Sequence, residues 1–577
     1  MTTGHDQRRG ASLQRPFAAD QAVGLDSSIE RAVAMAPTTT LPLTQHPAPP
    51  ASAPLPGSLV EQPARGWSWA QERLSFLTRG PWPLLGILVV QAGLSLRLVW
   101  SNTAFGDEAL YLWSGHLEWA HWLHGTPIPD FAAYFSGAPV FYPPIGAVAD
   151  SIGGLAAARI LSMIFMLVST VLIYLTARTL AFDKRAAVYA AAAFGLLGPT
   201  LSLAFATYDA MALMLIALSA WLAVRASGRH PEPFLLIAGA AMALANAAKY
   251  ASALWDPAVI AVAIAASWHA GPWIRILRGL RVATYAGCAL GVALLRFGGL
   301  AYEHGVLSTT LARASGPAPA RTVLSEGFNY ISPVIILSLL AVISSRRASR
   351  RVRFLCIAVT VACWLAILNH ARIHTFTSLH KHVDFGAWFA AIAVGYVISQ
   401  ASRLQHERSW RIAIASAAVI PLTLISFNVS GHLYRWAPAG GLVAKLQPLL
   451  HNRHAHYLMD PQSANIIYYY LHAEVFPGQL NLLQCTWWDP VRRRELRGPG
   501  ACTAAIKAHY YDLIETDDAT NGPGGTPAEV AVWKAIRASG AYRLIYRAHQ
   551  LYHPQDLFQI WQLRKPRGMR HVARAQR

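Results

Sequence analysis

Long apolar runs recur from residue 82 to residue 430, separated by short polar stretches. Eleven can be marked: 82–100, 156–177, 186–205, 207–224, 234–251, 255–270, 282–300, 331–345, 354–369, 383–400 and 411–430. Most approach the roughly 20 residues that a helix needs to cross a bilayer, with 255–270 and 331–345 the shortest. Backbone groups in lipid must bond within their own segment, so the runs predict helices. One interval breaks the rhythm. Residues 101–158 open Ser-Asn-Thr-Ala-Phe-Gly-Asp-Glu-Ala-Leu-Tyr and carry no Lys or Arg before Arg159. Helix connections usually take roughly 2–8 residues, and a long loop on a rigid scaffold is a place for chemistry.

The flanks read differently. Residues 1–80 are rich in Pro, Ala, Thr and Gln and show no sustained period, which predicts a disordered N-terminal segment. No apolar stretch follows Arg8 and Arg9, so no signal peptide is expected at Met1. Residues 431–577 hold short apolar runs, such as Asn465 to Tyr470, parted by turn signals such as Asn521-Gly522-Pro523-Gly524-Gly525. They predict a small soluble α/β domain with a helix over Pro527–Ser539 and a frayed basic tail from Arg564. The expected architecture is an all-α polytopic membrane domain over 81–430, with about eleven transmembrane helices, followed by this α/β domain.

Composition agrees with a membrane protein. The chain is 54% hydrophobic and only 14% charged, against about 25% charged in soluble domains, and its mean hydropathy is +0.31. The net charge of +20 would suggest nucleic acid in a soluble protein. Here the basic residues sit in alternate short loops: Arg178, Lys184 and Arg185; Arg225 and Arg229; Arg275, Arg278 and Arg281; Arg346 to Arg353; Arg403, Arg408 and Arg411. Positive loops mark the cytoplasmic side, so no nucleic-acid partner is expected. The same rule puts the N-terminus inside and 101–158 outside, and an odd span count puts the C-terminal domain outside, at the cell membrane. Five cysteines without a CxxC pair argue against a zinc ribbon or redox motif. In an oxidising outer compartment Cys485 and Cys502 are expected to pair, and Cys288, Cys356 and Cys363 to stay free within spans.

Several ionisable residues fall at outer span ends, where they are expensive unless they face a cavity or a partner. Asp107 and Glu108 follow the first span. Arg159 opens the second, Asp209 lies at the fourth, Lys249 ends the fifth, and Lys381, His382 and Asp384 open the tenth. Carboxylates and cations converging on one outer cavity suit a polar, phosphate-bearing substrate. Each has a plainer reading. Lys249 could snorkel to the interface, Arg159 could pair with Asp150 or Asp209, Asp209 could cap a helix, and Asp107-Glu108 could be a solvated pair. His116, His121 and His124 lack a carboxylate geometry for a metal site. Trp113, Trp119 and Trp122 fit an aromatic belt or an interfacial helix.

In order, Asp107-Glu108-Ala109-Leu110-Tyr111, Tyr142-Pro143-Pro144, Ala157-Ala158-Arg159-Ile160, Tyr208-Asp209-Ala210 and Ala248-Lys249-Tyr250 make the chain resemble the GT-C class of integral-membrane glycosyltransferases. The nearest likeness is to bacterial relatives of protein O-mannosyltransferases and of the lipid A aminoarabinose transferase. The resemblance covers roughly 80–430. It implies sugar transfer on the outer face from a polyprenyl-phosphate donor to a protein, glycan or lipid hydroxyl, with the first-loop Asp as general base. No cofactor is expected from the sequence, which shows no clear site for a divalent cation and leaves metal dependence open. Relatives of the aminoarabinose transferase usually carry a Lys before the loop's Pro pair. This chain reads Gly137-Ala138-Pro139-Val140-Phe141-Tyr142 there, which shifts the expected phosphate grip to Lys249, Arg159 and Lys381.

The resulting expectation is an inverting transferase with Asp107 as base and Glu108 secondary. Asp209, Lys249, Arg159, Lys381, His382, Tyr111 and Tyr142 are expected to bind substrate. Lys249→Ala is expected to fold but to handle donor poorly. The competing readings are a flippase or transporter of lipid-linked saccharide, and a non-catalytic subunit binding envelope polymer.

Overall fold

A computed structural model describes residues 82–180, 182–228, 230–403, 408–450, 452–476, 478–483, 485–516, 527–548 and 558–564. The expected disorder of 1–80, Arg229 and the tail beyond Arg564 lie outside these residues.

All eleven apolar runs fall on helices. The membrane domain runs α1 (Trp82–Val99), α2 (Gly106–His124), α3 (Tyr142–Thr179), α4 (Lys184–Gly195), α5 (Gly198–Ser202), α6 (Tyr208–Arg225), α7 (Pro231–Ala248), α8 (Asp256–Ala266), α9 (Pro272–Phe297), α10 (Leu300–Thr309), α11 (Ala320–Ser344), α12 (Arg350–Arg372), α13 (Leu379–Arg403) and α14 (Arg408–His432). Among the described residues eight of these (α1, α3, α6, α7, α9, α11, α12 and α13) are long and apolar enough to cross a membrane. The runs 186–205 and 255–270 form shorter pieces. The first breaks between Gly195 and Gly198, and the second is the 3₁₀ turn Tyr250–Trp255 leading into α8. α13 lies almost wholly inside the bundle, whereas α9 is the most exposed of the eight. Ala-rich faces allow close packing: a side chain at Gly395 of α13 would meet Ala190 of α4.

The interval 101–158 is two helical stretches joined by an irregular link, residues 125–141, that holds one 3₁₀ turn at Phe131–Ala133. α2 occupies its first half, and α3 begins at Tyr142, some fourteen residues before the expected span. Its first turn holds Pro143 and Pro144, where a missing N–H costs nothing. The axis breaks at Gly153 and Gly154, and Gly154 has φ +64°, a conformation other residues rarely adopt. Before the break, Ile145, Val148 and Ile152 form an exposed apolar stripe at helical spacing.

The basic loops gather at the end of the bundle away from α2. There Arg403 pairs with Asp183 at 3.0 Å, and Arg351 donates to the carbonyls of Leu180 and Ala265.

Beyond α14 come α15 (Gly440–Leu446), β1 (Tyr457–Met459), α16 (Pro461–Leu471), β2 (Leu480–Leu482), β3 (Thr486–Asp489), β4 (Arg494–Arg497), α17 (Pro499–Lys507), β5 (Leu513–Thr516), α18 (Pro527–Ser539), β6 (Tyr542–Arg547) and β7 (Gln559–Leu563). The main sheet has the order β2-β1-β5-β7-β6, parallel on the β2 side and antiparallel on the β6 side. β3 and β4 form a separate hairpin. Cys485 and Cys502 are disulfide-bonded, joining the hairpin's start to α17, while Cys288, Cys356 and Cys363 are free.

This α/β region fastens α2 in place. Trp113 stacks on Tyr468 of α16 at 4.5 Å, so it is docked against protein rather than lying in a lipid belt. Tyr470 accepts the N–H of Ala104 at 3.0 Å, and Asp150 accepts from Tyr469 at 2.6 Å while contacting His116 at 2.8 Å. Asn102 and Thr103 are tied to Tyr434, Trp436 and Ala439. The start of α2 is therefore held from both sides.

Candidate active site

α2 begins directly after Phe105, whose backbone is extended, so its first turn carries Asp107 and Glu108 in opposite roles. Glu108 is fully buried. It receives Arg159 Nε at 2.8 Å and Nη2 at 2.6 Å, and accepts the N–H of Ala206 at 2.9 Å. Arg159, also fully buried, spends its remaining N–H groups on the carbonyls of Val99, Asn102 and Thr103. Its guanidinium lies 5.5 Å and 5.6 Å from the rings of Tyr434 and Trp436. The pair is a staple between α1, α2, α3 and the loop before α6. Two expectations are corrected here. Arg159 pairs with Glu108, not with Asp150 or Asp209, and neither Arg159 nor Glu108 has a polar atom left for a substrate.

Asp107 faces the other way, about 100° around the helix from its neighbour. Its side chain is 35% exposed, and Lys381 Nζ lies 3.0 Å from Oδ2. Lys381 is itself buried, with its ammonium 4.9 Å from the Phe105 ring. An aromatic face and a carboxylate together make a buried ammonium tolerable.

Asp209 opens α6 deep in the bundle. Thr207 donates to its Oδ2 at 3.1 Å, and Lys249 Nζ lies 3.0 Å from Oδ1. Lys249 ends α7 in an extended conformation. The adjoining backbone is pinned to the loop after α2, since Ala138 N–H donates to Ala247 and Tyr250 N–H donates to Ser136. Gly137 allows this approach, because a side chain there would strike the Ala248 carbonyl. His382 of α13 reaches within 3.8 Å of Asp209 and contacts His370 of α12 at 2.8 Å.

The two tyrosines expected to bind substrate are both packed into the protein. Tyr142 is fully buried, with its hydroxyl 3.2 Å from Ser162. Tyr111 packs edge-on against Tyr208 at 4.4 Å and Phe135 at 5.4 Å. Burial, then the charges of Asp107 and Asp209, raise the Tyr111 phenol well above its ordinary range, so it stays neutral. Tyr111 shares the Asp107 face of α2.

One cation near this carboxylate was not singled out in the sequence: Arg313, in the polar link after α10, is half-buried and feels the charge of Asp107. A lone Arg in a link with no motif gives no sequence signal. A cavity of about 740 Å³, almost wholly apolar, opens beside the site between α7, α9 and α10, lined by Trp122, Phe141, Asn246, Tyr250, Leu294 and Phe297 among others. Among the described residues no group of three or more His, Cys, Asp or Glu is arranged to hold a metal ion.

The buried pair at Asp209 also revises what Lys249 does. Removing the lysine leaves a carboxylate inside the bundle without its nearest cation, which costs about 3 kcal/mol. Lys249→Ala is expected to lower the thermal aggregation temperature in detergent, and Lys249→Met with Asp209→Asn to regain most of it. Equal stability of Lys249→Ala and the wild type would restore a role in substrate handling alone.

Residues 148–294 match the family described as dolichyl-phosphate-mannose-protein mannosyltransferase. No curated protein sequence matches the chain. Among solved structures, the fold is similar to apo ArnT from Cupriavidus metallidurans, with TM-score 0.54 and 14% identity over 83% of this chain and 98% of that one. It is also similar to ArnT bound to undecaprenyl phosphate, with TM-score 0.53 and 14% identity over 86% and 98%. AglB, the oligosaccharyltransferase of Archaeoglobus fulgidus in complex with an inhibitory peptide and a dolichol-phosphate, gives TM-score 0.52 and 14% identity over 82% and 74%. The fold is that of the GT-C membrane glycosyltransferases, a multi-pass helical bundle carrying an α/β region.

Proposed function

We propose that the chain is an inverting glycosyltransferase moving a sugar from a polyprenyl-phosphate donor to an acceptor hydroxyl on the outer membrane face. The observation that carries this is the state of the three site carboxylates. Glu108 and Asp209 are sealed in ion pairs, whereas Asp107 is 35% exposed, next to cations. Asp107 takes the acceptor proton while that oxygen attacks the anomeric carbon. The bond from that carbon to the donor phosphate breaks, and the phosphate leaves with the electron pair. Lys381, 3.0 Å from Asp107, is the cation that answers the departing charge. The isoprenoid tail occupies the apolar cavity, whose Asn246 and Tyr250 lie next to Lys249. The outer face follows from the basic loops at the opposite end. The step as written uses protein groups alone.

The test incubates purified protein with a panel of polyprenyl-phosphate sugars and an envelope extract as acceptor source. Free polyprenyl phosphate and a glycosylated product are expected from at least one donor. Movement of intact lipid-linked sugar across vesicles, without its cleavage, would favour the transporter reading instead.

A further inference from the structure

A second feature of the site lies deeper than the base. His370 Nδ1 is 3.2 Å from the carbonyl oxygen of Thr375. A carbonyl can only accept, so His370 Nδ1 carries the hydrogen. In the uncharged ring, His370 Nε2 is then a lone pair, and it lies 2.8 Å from His382 Nδ1. His382 Nδ1 must therefore donate, which leaves His382 Nε2 as a lone pair. His382 is only 5% exposed, and its Nε2 hydrogen-bonds to nothing among the described residues. Asp209 Oδ1, at 3.8 Å, is too far for a hydrogen bond and has no hydrogen to give. A buried acceptor without a donor is costly, and backbone-anchored imidazoles fix this one in place.

We propose that His382 Nε2 accepts a hydrogen bond from a hydroxyl of the transferred sugar, and that His370 is the positioning residue that fixes it as an acceptor. This rests on the glycosyltransferase reading above. Lys249 Nζ, paired to Asp209 Oδ1 at 3.0 Å, adds an N–H donor to the same spot. The group that fits must donate to nitrogen and accept from an ammonium, and a hydroxyl does both. A phosphate oxygen or a carbonyl would set a lone pair against the Nε2 lone pair. The depth also selects the donor's sugar over the acceptor. Lys249 adjoins Asn246 and Tyr250 at the polar rim of the apolar cavity, so a lipid lying there brings its phosphate and first sugar to this point. Asp107, the accessible group, is left for the acceptor.

The experiment compares a polyprenyl-phosphate sugar that the wild type transfers with its deoxy and deoxyfluoro analogues at each ring position. Fluorine accepts weakly and cannot donate, so at one position both analogues should lose about 10–100-fold in kcat/KM. In His382→Phe, parent and analogue at that position should be transferred at similar rates. His370→Gln should keep the discrimination, because its amide oxygen can accept from His382 Nδ1, whereas His370→Leu should lose it. A wild type indifferent to every deoxygenation overturns the proposal without any variant having to fold. So does a His382→Phe enzyme that discriminates as before. Failure of the wild type to transfer from any polyprenyl-phosphate donor is a different result and removes the glycosyltransferase reading itself.

Discussion

Asp107→Asn is expected to fold, to bind donor at least as well as the wild type, and to transfer sugar about 10²–10⁴-fold more slowly, the usual cost of losing a general base. The amide keeps the shape of the carboxylate and can still accept a hydrogen bond from Lys381, now 3.0 Å from Oδ2. What disappears is the charge and the capacity to take a proton. Lys381, itself buried, loses a counter-ion, so some loss of thermal stability is expected beside the loss of rate, while the Phe105 ring and the amide oxygen keep the ammonium in place. Removing a negative charge from a site that receives a phosphate should leave donor KM unchanged or lower it. The expected signature is thus a fall in the rate per folded molecule with donor KM unchanged or lower, whereas misfolding would lower the folded fraction and leave that rate alone. Normal transfer by a well-folded Asp107→Asn protein would remove the proposed mechanism and bring the transporter and scaffold readings forward.

The sequence made the bundle legible because long apolar runs in lipid have only one way to satisfy their backbone. It concealed α2 and the first half of α3, because short helices outside the bilayer need no long apolar run, and Trp113 looked the same whether it met lipid or Tyr468. The motifs brought Asp107, Asp209, Lys249, Lys381 and His382 to one end of the molecule, but not who pairs with whom. Arg159 and Glu108 are 51 residues apart, and only the packing of α1, α2 and α3 decides that they meet. Two further residues left no trace. Arg313 is a single cation in a polar link, and His370 sits in an apolar span, where a lone histidine reads as core.

The larger effect on stability is expected at the sealed pair. Glu108→Gln keeps the size of the side chain and halves its ability to answer Arg159, which then carries an unneutralised charge inside the protein. Breaking a buried pair from one side typically costs about 3–5 kcal/mol. Replacing both partners by apolar residues often recovers such a loss, but here it should not. Arg159 also serves the carbonyls of Val99, Asn102 and Thr103, and Glu108 accepts from Ala206 N–H. Glu108→Leu with Arg159→Met would take these partners from the buried Val99 carbonyl and Ala206 N–H and from the half-buried Asn102 carbonyl, although Trp436 would still donate to Thr103. Both the single and the double variant are therefore expected to aggregate at clearly lower temperature in detergent. Transfer should fall with the folded fraction, while donor KM and the rate per folded molecule stay close to wild type. That split separates a staple from a base. A Glu108→Gln protein with wild-type stability and no transfer would instead place Glu108 in the chemistry, and Arg159 with it.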